Sequence, residues 1–277
     1  MDYGVNKILA IVLTYYPDRE LLTANTNKFL DYVDKVLLWE NTPEQEKLHY
    51  RFLSGDKFEY CGDGINSISH ALNYAWRYAK DFGFDYLLIM DQDSLWCDFN
   101  SYLNETIFNE EAPDGIWGPQ ITDENKQEKV LEVYSVINSG TLVRVDLIDA
   151  IGGWNELFKI DCVDDEFCLR AKRLGISTYR FTNCRLLQRY GSPRQVSFLG
   201  KKSNLRNDSP QRLYSIYRSF IVLLRMYPEA VQLRRQFMDN WIALIKWIFV
   251  FEKDRFSKLF AITRGIVSGY TYKIKKT

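Results

Sequence analysis

The sequence predicts an α/β fold: a mostly parallel sheet flanked by helices, with a helical appendage at the C-terminal end. Short continuous apolar runs alternate with helical patterns over the first 97 residues. Strands that are apolar throughout belong to parallel sheets covered on both faces. Those runs stop at polar residues, Thr14, Glu40-Asn41 and Asp91-Gln92-Asp93, and open sheets of this kind take their ligands at the carboxyl ends of the strands. Beyond residue 205 the chain turns basic and helical. The expected organisation is therefore 1–97 and 98–205 as two halves of one domain, followed by a basic helical region, 206–277.

Taken in order, Ile8 to Leu13 is a buried strand that ends in Thr14-Tyr15-Tyr16-Pro17, and Leu21 to Tyr32 reads as the helix after it. Val33 to Trp39 is the second strand, closed by Glu40-Asn41-Thr42-Pro43, and Phe58-Glu59-Tyr60 is a short third. A helix from Ser67 to Phe82 leads to the strand Tyr86–Met90, which runs directly into Asp91. Further on, Phe167, Leu169, Ala171 and Leu174 mark a helix from Asp164 to the stop at Gly175.

The chain's 277 residues, 46% hydrophobic and 26% charged, are enough for a sizeable core and exclude a disordered tail protein. Five cysteines without a CxxC pair read as reduced thiols, and two histidines leave a Ser-His-Asp hydrolase or a histidine-ligated zinc enzyme improbable. Chemistry here is expected to run on carboxylates. The apolar run Ile8–Leu13 is too short for a signal core, so a cytoplasmic protein is expected.

Two acidic constellations stand out. Asp91-x-Asp93 at the mouth of a buried strand forms a hard oxygen site for Mg²⁺ or Mn²⁺ holding a diphosphate; the bland alternative is a helix cap or an Asx turn. The stretch Phe158 to Arg170 places Asp161, Asp164, Asp165 and Glu166 within six positions, in or just before the first turn of a helix. There they interact with the helix dipole and Glu166 pairs with Arg170, or one of them faces the crevice as a general base. Asp165 and Glu166 read as the structural members.

These segments together resemble the family 2 inverting glycosyltransferases with a GT-A fold, and within them the rhamnosyltransferase-like branch. The resemblance covers nearly the whole chain. It rests on Val12 to Pro17, Glu40-Asn41-Thr42, Leu88 to Ser94, Asn138-Ser139-Gly140-Thr141, Ile151 to Glu156, Phe158 to Arg170, and Arg212-Leu213-Tyr214 with Tyr217-Arg218. It implies that Thr14, Tyr16, Glu40, Asn41, Asp91, Gln92, Asp93 and Gly140 bind the nucleotide sugar, with Asp91 and Asp93 meeting ribose and metal-bound diphosphate. Asp164 is then the base, and Arg212 and Arg218 are candidates for phosphate contacts. Trp154 could stack on an acceptor sugar, with turn packing as the competing reading. Three positions depart from the family pattern: Gln188 where His is usual, a weaker candidate metal ligand; Glu40 where Asp is usual; and Ile68 where Gly is usual. The implied activity is transfer of rhamnose, galactofuranose or another hexose from a nucleotide diphosphate donor to a saccharide or lipid-linked acceptor in surface polysaccharide synthesis. A catalytically inactive nucleotide-binding scaffold and a metal-dependent phosphohydrolase are the alternatives.

The net charge of zero divides sharply. Residues 1–205 carry 22 basic and 31 acidic side chains, net −9, whereas residues 206–277 carry 14 and 5, net +9. Trp241 to Phe251 is too short an apolar run to span a bilayer. With Lys253, Arg255 and Lys258 beside it, it fits an interfacial helix on the inner face of the cell membrane; a core helix or homo-oligomer contact would use the same residues. Nucleic acid fits worst, since no reader motif accompanies the charge.

Overall fold

The computed structural model describes residues 6–122, 127–188, 194–198, 201–205, 208–252 and 254–274. The chain forms two compact units, Met1–Arg189 and Tyr190–Thr277. The second begins ahead of residue 206 because it includes a hairpin that pairs only with itself.

The first unit opens with β1 (Ile8–Thr14), buried at every position, and α1 (Arg19–Thr26), capped by Asp18. The helix stops well short of Tyr32. The Thr26 hydroxyl donates back to the carbonyls of Leu22 and Thr23, competing with the helical ladder, and a separate 3₁₀ turn at Leu30–Tyr32 follows. Next come β2 (Lys35–Glu40), β3 (Phe58–Cys61), α2 (Ile68–Asp81, capped by Ser67) and β4 (Tyr86–Asp91). The remainder comprises β5 (Leu95–Trp96), α3 (Phe99–Glu105), β6 (Gly115–Gln120), β7 (Val130–Val133), β8 (Leu142–Arg144), α4 (Val145–Ile151), α5 (Val163–Arg173) and β9 (Ser177–Leu187).

The sheet runs β3-β2-β1-β4-β8-β6-β9-β5, with β7 alongside β9. It is mixed and mostly parallel: β3, β2, β1 and β4 are parallel neighbours, as are β6 and β9, while β8 lies antiparallel between β4 and β6. One core cluster unites Ala10, Val12, Val36, Leu38, Leu88 and Met90 with Phe29, Trp96, Phe99, Tyr102 and Phe181. Because β1, β2 and β4 run the same way, their polar C-terminal residues emerge on one edge, with Thr14 paired to Glu40 and Leu13 to Asp91.

The second unit holds the hairpin β10 (Arg194–Phe198) and β11 (Lys201–Leu205), then α6 (Pro210–Met226), α7 (Val231–Phe251) and α8 (Arg255–Thr271). Leu213, Tyr217, Ile248 and Ile262 form its core, with Trp241 and Leu244 packed against them. Part of the apolar run on α7 is therefore spent inside this unit. Among the described residues, no helix is long and apolar enough to cross a membrane.

Candidate active site

At the end of β1, the buried Thr14 hydroxyl donates to the Trp39 carbonyl, and the Asn41 amide donates to the Thr14 carbonyl, so the ends of β1 and β2 are locked together. Gln92 makes the matching tie to β4: its side-chain oxygen accepts from the Tyr15 amide at 2.7 Å and its nitrogen donates to the Tyr15 carbonyl. Between these ties the chain turns at Tyr16, whose φ of 45° lies in the left-handed region that non-glycine residues seldom occupy. Thr42 accepts the Tyr16 amide and Glu46 the Tyr16 hydroxyl, which hold that turn. Strain of this kind is maintained where the surroundings demand it, commonly at ligand sites.

Glu40 is 2% exposed. Arg51, lying over the Tyr60 ring, reaches one carboxylate oxygen at 3.3 Å, while the other is buried without a hydrogen-bond partner. Burial outweighs Arg51 and raises the Glu40 pKa. Asn41 accepts from the Trp39 indole, so its side chain is oriented from within the sheet.

Asp91 ends β4 and is held from three sides. Its amide donates to the Ser139 hydroxyl, its carbonyl accepts from Asn25 at 2.7 Å, and its carboxylate accepts from the Gln188 amide nitrogen at 3.2 Å. Desolvation first, and then the charge of Asp93, push its pKa up to about 6. Asp164 sits in the first turn of α5, behind Cys162, whose φ of 63° is the only other positive value at a non-glycine among the described residues. Burial, the neighbouring Asp165 and the more distant Asp91 raise Asp164 to about 7. The charge of Asp91 is felt at Asp164 only as the smallest of these influences. The loop from Ser135 to Thr141 bonds to the end of β4 and to the start of α5, since Ser135 donates to Asp165 at 2.7 Å and Ser139 accepts from Asp91.

The acidic residues next to Asp164 have structural partners. Glu166 is 1% exposed and takes a two-pronged contact from Arg170, whose other donors hold the Ile151 and Gly153 carbonyls. Trp154 does not present an open face: it is 4% exposed and stacks on Phe167 with centroids 4.5 Å apart, so the turn-packing reading describes it. Gly140 is buried at φ +81°, where an added Cβ would lie 2.6 Å from Pro119; it lets its own amide reach the Ile89 carbonyl and so supports β4 from beneath. Arg212 and Arg218 belong to the second unit, Arg212 in the first turn of α6 and Arg218 over the Tyr272 ring.

Among the described residues no three His, Cys, Asp or Glu side chains cluster as a metal site. Asp91, Asp93 and Gln188 do converge, and the Gln188 side-chain oxygen is buried with no partner while its nitrogen is committed to Asp91. Two carboxylates and one unsatisfied amide oxygen make the all-oxygen donor set that Mg²⁺ and Mn²⁺ prefer. Sequence reading did not single out Asn25 or Ser135. Asn25 left one signal, a polar residue on the face of α1 that carries Leu22.

No family model matches the chain. It is similar to the dTDP-rhamnosyl transferase RfbF of Shigella flexneri, 26% identical over 252 residues, covering 79% of this chain and 80% of that one. Among solved structures it resembles Staphylococcus aureus TarS 1–349 in complex with UDP-GlcNAc, with a TM-score of 0.60 at 15% identity over 95% of this chain and 81% of that one. It also resembles GalNAc-T7 with UDP, GalNAc and Mn²⁺, with a TM-score of 0.60 at 10% identity over 81% of this chain. The chain spans about half, 48%, of that last protein. The fold is that of the GT-A glycosyltransferases, and the sequence relative agrees with a rhamnosyltransferase-type glycosyltransferase.

Proposed function

We propose that this protein is an inverting glycosyltransferase that moves a sugar, with rhamnose from a dTDP donor as the first candidate, to a hydroxyl of a saccharide or lipid-linked acceptor in surface polysaccharide synthesis. The observation that carries the reading is the loop from Ser135 to Thr141, which bonds to Asp91 at the end of β4 through Ser139 and to Asp165 beside Asp164 at the start of α5 through Ser135. The donor nucleotide would lie along the ends of β1 and β2, against Thr14, Tyr16, Glu40 and Asn41. The orphaned Glu40 oxygen is suited to accept the imide N–H of a pyrimidine base, a group that thymine and uracil share.

Asp164 then takes the proton of the acceptor hydroxyl as that oxygen attacks the anomeric carbon, and the bond from that carbon to the diphosphate breaks on the opposite face. A carboxyl held near pH 7 is matched to this task, because it is a stronger base than an ordinary aspartate and still ionises under working conditions. Gln92 and Asn25 keep the backbone around Asp91 in place during transfer. Asp91, Asp93 and Gln188 would hold a divalent cation, which supplies counter-charge to the leaving diphosphate. The net charge of +9 beyond residue 205 supports a peripheral position on an anionic membrane face, where a lipid-linked acceptor resides.

The test is transfer from a panel of dTDP, UDP and GDP sugars, with release of nucleoside diphosphate followed with and without acceptor. Acceptor-stimulated release from one donor is expected. Binding of nucleotide without turnover would mark a scaffold subunit, and release of inorganic phosphate a phosphohydrolase.

A further inference from the structure

The exposed side of α8 carries chemistry that neither the nucleotide site nor the core of its own unit uses. Phe256, Phe260, Val267 and Tyr270 are 74%, 66%, 56% and 62% exposed. At 100° per residue they fall in one narrow stripe along the helix. The opposite side explains why the helix cannot turn that stripe inward. Gly265 and Gly269 let α8 press on α6, and a Cβ at Gly265 would meet the Tyr214 carbonyl at 2.6 Å.

Basic groups flank the stripe. Arg264 lies over the rings of Tyr214 and Phe260, at 5.5 and 5.8 Å, and among the described residues it has no carboxylate partner. Arg255 lies over Phe256 at 5.5 Å. The acids nearby in sequence, Glu252 and Asp254, are engaged by Lys258. Beside Arg264 a groove of about 330 Å³ opens between α6 and α8, lined by Pro210, Gln211, Tyr214, Ser257 and Phe260.

We propose that this face of α8 docks on an anionic lipid surface, with the aromatic stripe entering the interface and the Arg264 groove receiving a lipid phosphate. Guanidinium groups set on exposed aromatic rings suit both parts of such a surface, the apolar boundary and the anionic headgroups. Charge also decides against a second copy as the occupant, because Arg255 and Arg264 flank the stripe and apposing two such faces would bring their guanidinium groups together. The proposal rests on the peripheral membrane reading above and moves the contact from the α7 run to α8.

The experiment is sedimentation of the full chain with vesicles of phosphatidylcholine alone and of phosphatidylcholine mixed with phosphatidylglycerol, at low and high salt. Wild type, Phe256→Ser/Phe260→Ser, Arg264→Gln and Trp247→Glu are compared. Binding to the mixed vesicles only, weakened by salt, is expected. The Phe pair variant should lose about tenfold or more in partitioning and Arg264→Gln several-fold, with Trp247→Glu nearly unchanged. Unaltered nucleotide binding and thermal midpoint show that each variant is folded. If wild type ignores anionic vesicles, the membrane reading and this proposal both fall. If wild type binds and the Phe pair variant binds equally, only the α8 face is overturned. A wild-type dimer that the Phe pair variant converts to monomer in light scattering would instead identify a second copy as the occupant and overturn the proposal.

Discussion

Asp164 is subject to two opposed demands: it must ionise to act as a base, yet burial and two neighbouring carboxylates favour its neutral form. Transfer should therefore rise with pH through about 7, and added Mg²⁺ or Mn²⁺ should shift the rise to lower pH by offsetting the charge of Asp91. A rate that is flat from acid to neutral pH would remove Asp164 from the role. Asp164→Asn should lower transfer roughly 10²–10⁴-fold with nucleotide binding kept. Asp165→Asn should cost much less, because Asp165 is occupied by Ser135. Asp93→Ala, and EDTA applied to the wild type, should each abolish transfer; full activity in EDTA would leave the Asp91, Asp93 and Gln188 donor set without a cation to hold. Asp91, Asp93 and Asp164 are candidates that the sequence alone proposes, because charges placed against a buried strand or at a helix start stand out in one dimension. Asn25 and Ser135 are not, since each acquires its role only through a partner 66 or 30 positions away.

Asp164 lies in the first turn of α5, and Arg170 fixes that helix to the preceding chain. That one guanidinium joins Glu166 on its own helix to the carbonyls of Ile151 and Gly153 before it. Arg170→Met should cost about 3–5 kcal/mol in urea unfolding, because Glu166 would lose its cationic partner while remaining buried. An unchanged midpoint would mean that Glu166 finds another partner. Gly153→Ala should destabilise by at least about 1–3 kcal/mol: its φ is +71° and the new Cβ would lie 2.4 Å from the Trp76 ring. The sequence revealed the start of α5 through its acidic first turn and α2 through its Ser67 cap, both local signals. It did not reveal that α1 ends at Thr26, where side-chain bonds compete with the backbone. Nor did it reveal that β9 pairs with β5, β6 and β7, since the choice of partner strand depends on residues far apart in the chain.

Across the whole molecule, stability and function pull the same carboxylates in opposite directions. Asp91 and Asp164 titrate at about 6 and about 7, above the ordinary aspartate value of 3.8. Between that value and 7 the folded chain retains protons that the unfolded chain releases, so these two groups make stability fall as pH rises through that window. Asp63, Asp146 and Glu156 act the other way: their pKa values are lowered by bonds to Ile65, Arg144 and Asn73 respectively, and their stabilisation is lost on acidification. A simple pH scan mixes the two sets, but the difference between Asp164→Asn and wild type isolates one group. That difference in thermal midpoint should be close to zero below about pH 3, where Asp164 is neutral in the folded and the unfolded chain alike. It should grow in favour of the variant as pH approaches 7 and level off above it, the expected signature of a site kept charged for chemistry at the expense of the fold. A saturating divalent cation with nucleoside diphosphate should shrink the difference by neutralising the acidic cluster. A variant less stable than wild type at pH 8, or a difference independent of pH, would show that the Asp164 carboxylate is stabilised in the fold and is not the strained base assigned here.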